Sequence, residues 1–148
     1  MVKPRSPASE TAQLVSDIMF DPEPVIEQSA HLAAAAYLMR HAQRPELVVV
    51  DGEASRKPVA IITSFDVVRA VSHASNPSEA TVAQWQSPEP EVVRPHTPLL
   101  EALDVMLEQT RPHLPVVDDD GQLVGVIDLI RLARAIRPLL DGRGTSQP

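Results

Sequence analysis

The chain contains no cysteine, which excludes a disulfide framework, a thiolate metal site and a cysteine nucleophile. This absence is typical of a reducing compartment, and we expect a cytoplasmic protein. No apolar run reaches the length of about 18 residues that a membrane-spanning helix needs, so we expect no membrane association. Lys3 and Arg5 are not followed by an apolar stretch, and we therefore expect no signal peptide.

Positive charge is also scarce. The chain has 13 Lys and Arg against 20 Asp and Glu, which gives a formal net charge of -7. This balance argues against a nonspecific nucleic-acid or anionic-membrane partner, since both require concentrated Lys and Arg.

Signatures of catalysis are missing as well. The sequence has no Gly-x-Ser-x-Gly elbow, no His-Glu-x-x-His pair and no glycine loop that cradles a phosphate. His31, His41, His73 and His96 form no convergent set of metal ligands. We therefore expect no catalytic residues, no metal site and no enzymatic activity.

The dominant feature of the sequence is an internal repeat. Residues 22–71 match residues 88–136 at a spacing of 65 to 67, and Pro22-Glu23-Pro24 recurs as Pro88-Glu89-Pro90. Leu-Val-Val-Val-Asp at 47–51 recurs as Leu-Pro-Val-Val-Asp at 114–118. Because a unit of roughly 50 to 60 residues buries too little surface to stand alone, the two copies are predicted to pack as a pseudo-twofold pair.

Each copy alternates strand and helix periodicities in the order β-α-β-β-α. In the first copy the pattern predicts strands at 25–26, 46–50 and 59–62, a helix from Ser29, as N-cap, to about 42, and a helix over 64–73. In the second copy it predicts strands at 91–93, 114–117 and 123–127 and helices at 97–109 and 129–140. Thr97 is expected to cap its helix with Pro98 at the first helical position, and Asp120-Gly121 to form a tight hairpin. The fold class is therefore α/β, built from tandem repeats.

The repeat also sets the predicted domain boundaries. We expect a disordered tail over 1–12, a first domain over 13–74, a linker over 75–80, a second domain over 81–140 and a disordered tail over 141–148.

Three segments together resemble the cystathionine-β-synthase (CBS) domain pair, also called the Bateman module. They are Val-Ser-Asp-Ile-Met at 15–19, the Leu-Pro-Val-Val-Asp strand, and Val-Ala-Ile-Ile-Thr-Ser-Phe-Asp at 59–66. The resemblance extends over about residues 13–138 and implies a sensor module whose cleft between copies binds AMP, ADP, ATP or S-adenosylmethionine. It also implies that the module dimerises.

The first copy has residues suited to such a ligand. A strand that ends at Thr63 and turns directly into a helix exposes unpaired amides, and the positive end of the helix dipole attracts a phosphate. Asp66 lies one turn further on, where its carboxylate can accept hydrogen bonds from both ribose hydroxyls. The same Thr-x-x-Asp spacing is close to a capping box, whose local stabilisation of about 0.5 to 2 kcal/mol explains both residues without a ligand.

The resemblance implies that Ile61 and residues of the second copy complete this site. Apolar side chains would enclose the purine, and a basic residue would contact the phosphates. For Leu114 and Val92, the alternative to ligand contact is packing in the core. For Arg111, the alternative is a solvent-exposed charge in a loop. The implied residues of the second copy are Glu91, Val92, Arg111, His113, Leu114 and Pro115.

The second copy has Asp128 and Arg131 where the first has Thr63 and Asp66. Asp128 repels phosphate, Arg131 cannot accept from ribose, and the two are spaced to pair with each other. We expect this second site to be non-functional, the alternative being that Arg131 contacts an anion. Gly125 has Ala60 as its counterpart, and a glycine there would let a ligand approach the strand.

Trp85, the only tryptophan, is expected to pack in the core, with base stacking as the alternative. We expect a homodimer, because apolar residues of the short helices exceed what one core needs. The sequence thus predicts a stand-alone sensor that binds an adenine nucleotide or S-adenosylmethionine, needs no cofactor and signals to an unidentified effector protein. The alternative is a ligand-free dimeric scaffold whose sites have decayed.

Overall fold

The computed structural model describes residues 13–141, so the tails predicted for 1–12 and 141–148 lie outside the described residues except for Asp141, which is the last residue of a helix and not part of a tail. Two similar sets of elements follow each other along the chain. The helices are α1 (Val15–Ile18), α2 (Leu32–Ala42), α3 (Ser64–Ser72), α4 (Val82–Trp85), α5 (Leu99–Gln109) and α6 (Leu129–Asp141). The strands are β1 (Ile26–Glu27), β2 (Glu46–Val50), β3 (Pro58–Thr63), β4 (His113–Val117) and β5 (Leu123–Asp128).

Most of the predicted elements are present, and the fold class is confirmed. The strand predicted at 91–93 is reduced to one parallel bridge between Val93 and Val116. Pro95 follows this segment closely and limits further pairing, since a proline has no backbone N–H to donate to a sheet. Two four-residue helices, α1 and α4, were not predicted, because one turn is too short to carry a helical periodicity.

Two predicted helix caps are wrong. The N-cap of α2 is His31 rather than Ser29, and its backbone forms a bridge with Thr81 instead of a side-chain cap. Pro98 occupies the N-cap of α5 rather than its first helical position. Thr97 Oγ1 instead accepts a hydrogen bond from the Arg94 N–H at 3.0 Å, so it closes the turn before the helix.

The strands form two sheets. In the first sheet β1 is parallel to β2, and β2 is antiparallel to β3 with Glu46 opposite Thr63 and Val50 opposite Pro58. In the second sheet β4 pairs with β5. The hairpin between β4 and β5 is closed by Asp118 Oδ1, which accepts from the N–H groups of Asp120 and Gln122 at 3.0 and 2.9 Å. The tight turn predicted at Asp120-Gly121 is therefore present.

The described residues divide into two compact units, each with its own apolar core. The Thr63 unit comprises residues 22–90 and 117–124, and the His113 unit comprises residues 13–21, 91–116 and 125–141. The Thr63 unit is built on buried residues that include Leu32, Leu47, Val49, Ala60 and Ile62. The His113 unit is built on buried residues that include Val15, Leu99, Leu114, Val116 and Ile127.

Two general findings bear on function. Within residues 13–141, no helix is long and apolar enough to cross a bilayer. Over the same residues, no group of three or more His, Asp and Glu side chains is arranged to hold a metal ion.

Candidate functional site

The junction between β3 and α3 positions the two residues of the predicted ribose site. Thr63 is the last residue of β3 and the N-cap of α3, with extended backbone angles of φ -116° and ψ 161°. The Ser64 N–H donates to the carbonyl of Pro45 at 2.8 Å, which fixes the helix start against the residue before β2. The second repeat uses the same connection, because Leu129 N–H donates to the Pro112 carbonyl at 2.9 Å.

Thr63 and Asp66 form a reciprocal cap at the start of α3. The Asp66 N–H donates to Thr63 Oγ1 at 3.2 Å. Asp66 Oδ2 accepts from both the N–H and the hydroxyl of Thr63, each at 2.9 Å. The capping interactions foreseen as an alternative are therefore present, and a role of these residues in ligand binding stays a prediction.

The second carboxylate oxygen of Asp66 contacts an arginine that sequence reasoning missed. Arg69 Nη1 donates to Asp66 Oδ1 at 3.1 Å, and the side chains of Arg69 and Asp66 are 47% and 14% exposed. The Arg69 guanidinium also lies 5.6 Å from the centre of the Trp85 ring system. The sequence signal for the first contact is the three-residue spacing of Asp66 and Arg69 on one helix.

Ile61, the third candidate in this unit, is buried in β3. Its backbone exchanges two hydrogen bonds with Ser87: Ile61 N–H donates to Ser87 Oγ at 2.9 Å, and Ser87 N–H donates to the Ile61 carbonyl at 3.0 Å. Ser87 was also missed. Trp85, two residues earlier, packs against the core of the Thr63 unit, which confirms the core interpretation of this tryptophan.

The remaining candidates lie in the His113 unit. Leu114 is completely buried and Pro115 is buried, while Arg111 and His113 are half-buried. The core interpretation of Val92 is wrong, because its side chain is 39% exposed and the adjacent Val93 fills the core position instead. That these residues and Thr63 contact one ligand stays a prediction.

Burial lowers the pKa of the His113 imidazole below its ordinary value, and the negative charge of Asp128 opposes this shift. Desolvation is the larger of the two effects and penalises the protonated ring. We therefore expect His113 to approach an anionic ligand as a neutral hydrogen-bonding group at pH 7 rather than as a cation.

The lowered pKa of His113 predicts a pH-dependent stability. Because the unfolded chain takes up a proton at a higher pH than the folded chain, the free energy of unfolding falls as the pH drops below about 6.5. Between about pH 7.5 and about pH 5.5, urea unfolding is expected to show that His113→Gln loses less of its free energy of unfolding than wild type does. His96→Gln, at an exposed position, is the control and should lose as much free energy of unfolding as wild type. If His113→Gln also loses as much as wild type, His113 is not the source of the pH dependence.

In the second repeat, Asp128 and Arg131 pair with each other as their spacing indicates. The Arg131 N–H donates to Asp128 Oδ1 at 2.7 Å, and Arg131 Nε lies 3.6 Å from Asp128 Oδ2. The Arg131 guanidinium also lies 4.2 Å from the centre of the Phe20 ring. The absence of nucleotide binding at this second site stays a prediction.

Gly125 has a packing role that the sequence did not indicate. A Cβ atom at this position would lie 3.0 Å from Met19 Sδ and 3.2 Å from Met19 Cβ. The glycine therefore makes room for Met19 of the same unit, and a role in ligand approach stays a prediction.

Comparison with known proteins identifies the family. The model of the CBS domain matches residues 15–73 and 82–138, and the chain belongs to this family. The predicted resemblance is thereby confirmed.

Relatives share the repeat at moderate identity. An uncharacterized 17.7 kDa protein of Acidianus ambivalens is 31% identical over 125 residues, which covers 84% of this chain and 74% of that protein. The CBS domain-containing protein CBSCBSPB5 of Arabidopsis thaliana is 39% identical over 80 residues, but the match covers 53% of this chain and 15% of the plant protein.

The fold is that of solved CBS pairs. The crystal structure of the CBS-pair protein CBSX2 from Arabidopsis thaliana superposes with a TM-score of 0.72 at 26% identity and covers 88% of this chain and 99% of CBSX2. A crystal structure of CBSX2 in complex with AMP superposes with a TM-score of 0.70 at 25% identity, covering 87% of this chain and 99% of that chain.

Proposed function

We propose that this chain is a regulatory module that binds an adenosine-containing ligand through Thr63 and Asp66. The observation that carries the proposal is the half-buried Asp66 carboxylate at the start of a nine-residue helix, in a protein whose relative CBSX2 binds AMP. A carboxylate held by its own helix start is oriented before the ligand arrives, so little entropy is lost when the ribose hydroxyls donate to it.

The helix dipole adds an attraction for phosphate. The first turn of α3 carries the positive end of the dipole, which favours an anion by roughly 0.3 to 1 kcal/mol at an exposed site. Thr63 Oγ1 stands at this end and donates to Asp66 Oδ2, so it orients the carboxylate that we propose holds the ribose while the helix dipole attracts the phosphate. Sugar and phosphate recognition are thus both available at one junction.

The candidates of the His113 unit have side chains suited to the same class of ligand, and we propose that they contribute to its binding. Arg111 and His113 supply hydrogen-bond donors, and the exposed side chain of Val92 supplies apolar surface, whereas Pro115 is buried and supports β4. Leu114 is fully buried, so its contribution is to hold β4 in shape rather than to contact the ligand.

The alternative function is a ligand-free interaction scaffold. It is favoured by the complete capping box at Thr63 and Asp66 and by the Asp128–Arg131 pair, because both give these side chains partners without a ligand. The two functions differ in whether an adenosine compound stabilises the folded chain.

A thermal-unfolding panel with AMP, ADP, ATP and S-adenosylmethionine separates the two functions. For the sensor, a ligand present at about 100 times its dissociation constant adds about 2.7 kcal/mol to the free energy of unfolding, which raises the melting temperature by roughly 5–10 °C. The scaffold gives no shift with any compound.

Two matched variants locate the effect. Asp66→Asn keeps the shape and capping ability of the side chain but removes the carboxylate, so we expect it to lose the shift. Asp128→Asn makes the same change in the second repeat and should retain the shift. A full shift in Asp66→Asn contradicts the proposed site.

The proposal also includes a second copy of this chain as a partner. Phe65, Val68 and Val71 follow one another at a spacing of three on α3, and their side chains are 68%, 61% and 55% exposed. The only other residues on the helix face that they share are two serines, Ser64 and Ser72. Each copy carries a formal charge of -7, so an uncharged face is where two copies approach with least repulsion.

This face also suits a symmetric dimer. A twofold axis at Val68 brings the Phe65 end of one α3 to the Val71 end of the other, so the apolar row is complementary to itself. We propose that ligand binding near the N-terminus of the same helix alters this pairing or the docking of an effector protein.

A further inference from the structure

The Asp66 carboxylate has too few free positions to hold a ribose as it stands. A carboxylate accepts about four hydrogen bonds, two on each oxygen. Oδ2 receives the N–H and the hydroxyl of Thr63, and Oδ1 receives the guanidinium of Arg69. A ribose offers two adjacent hydroxyl donors, so one existing donor has to leave before both can bind.

Arg69 is the donor that can leave at least cost. The Thr63 N–H and the Thr63 hydroxyl both belong to the capped start of α3, where Thr63 Oγ1 also accepts from the Asp66 N–H, so the loss of either donor weakens the cap. The Arg69 side chain is instead 47% exposed, and an exposed ion pair of this kind stabilises a helix only weakly.

The Arg69 side chain also has an alternative interaction partner. Its guanidinium already lies 5.6 Å from the Trp85 ring centre, within the distance at which a cation is attracted to an indole face. Its own backbone is held in the last turn of α3, where the Arg69 carbonyl accepts from Ser72 Oγ at 2.7 Å. The side chain can therefore swing from Asp66 towards Trp85 or water without disturbing the helix.

We propose that Arg69 occupies the ribose-binding oxygen of Asp66 in the ligand-free chain and is displaced when a ribonucleotide binds. Arg69 thereby lowers the affinity for sugars with two adjacent hydroxyls more than for sugars with one, because a single hydroxyl fits the position that remains open. This inference rests on the proposed function and adds a residue that sets the selectivity of the same site.

The test compares AMP with 2′-deoxyadenosine 5′-monophosphate by isothermal titration calorimetry. Both probes carry the same phosphate, so any attraction between Arg69 and phosphate cancels in the ratio of their dissociation constants. Arg69→Met removes the guanidinium while keeping a long side chain of high helix propensity. We expect the preference for AMP over the deoxy compound to rise about two- to fivefold in this variant.

Arg134→Met is the matched control, since Arg134 is the exposed repeat counterpart of Arg69 and its removal changes the net charge equally. It should leave the preference at the wild-type value. If wild type binds AMP but the preference for AMP is unchanged or reduced in Arg69→Met, the proposed role of Arg69 is overturned and the proposed function stands. A lack of binding by wild type and by both variants overturns the proposed function, and the role of Arg69 with it.

Discussion

Replacing Leu114 by alanine is expected to lower the free energy of unfolding by about 2–5 kcal/mol. Leu114 has no exposed surface and belongs to the core of the His113 unit together with Val116 and Ile127. Removing three buried carbons loses their transfer free energy and leaves a cavity that close-packed neighbours fill only in part. Because domains of this size are stable by about 5–15 kcal/mol, the loss is a large share of the total.

Urea unfolding followed by circular dichroism measures this loss. Leu107→Ala is the matched control, because Leu107 lies on α5 with its side chain 64% exposed. Its truncation should change the free energy of unfolding by less than about 1 kcal/mol. If Leu114→Ala retains wild-type stability but loses ligand affinity, Leu114 is a wall of the ligand site rather than a core residue.

Glutamate in place of Phe65 is expected to convert a dimer into a monomer. Phe65 is 68% exposed in the single chain, so a charge at this position is tolerated by the monomer. In a symmetric interface the substitution buries two carboxylates near each other, which we expect to weaken association by about 100-fold or more.

Size-exclusion chromatography with light scattering gives the molar mass directly. Wild type should elute with twice the chain mass of 16.1 kDa, and Phe65→Glu with the chain mass itself. Leu140→Glu adds the same charge at a residue of α6 that is 63% exposed, and should remain a dimer. A wild-type monomer, or a dimer that survives Phe65→Glu, contradicts the proposed partner face.

The regular part of the fold was predictable because its signals are local. Both long strands of the first repeat and the helix after Thr63 lie within one or two residues of the predicted bounds. One of the errors has a cause that acts over a long distance in sequence. The backbone bridge from His31 to Thr81 replaces the expected Ser29 cap, and nothing near Ser29 indicates it.

The candidate site was predictable to the same degree. The cap between Thr63 and Asp66 and the pair between Asp128 and Arg131 follow from spacing on one helix, and both are present. Local spacing does not reveal that Met19 fills the space above Gly125, because the two residues are far apart in the chain.

Asymmetry between the repeats follows from these contacts. In the first repeat the helix start is a threonine with an aspartate one turn later; in the second it is an aspartate paired with an arginine that also lies against Phe20. Equivalent backbone connections at Pro45 and Pro112 hold both helix starts in place. The same scaffold thus supports one junction that we propose binds a ribose phosphate and one whose two charged side chains pair with each other.

Whether Asp66 holds the ribose is tested most directly by a crystal structure of the chain grown with AMP. We predict both ribose hydroxyl oxygens within about 2.6–3.2 Å of the Asp66 carboxylate, with the Arg69 guanidinium moved away from Oδ1. AMP bound elsewhere, with Asp66 still contacting only Thr63 and Arg69, would contradict the proposed site.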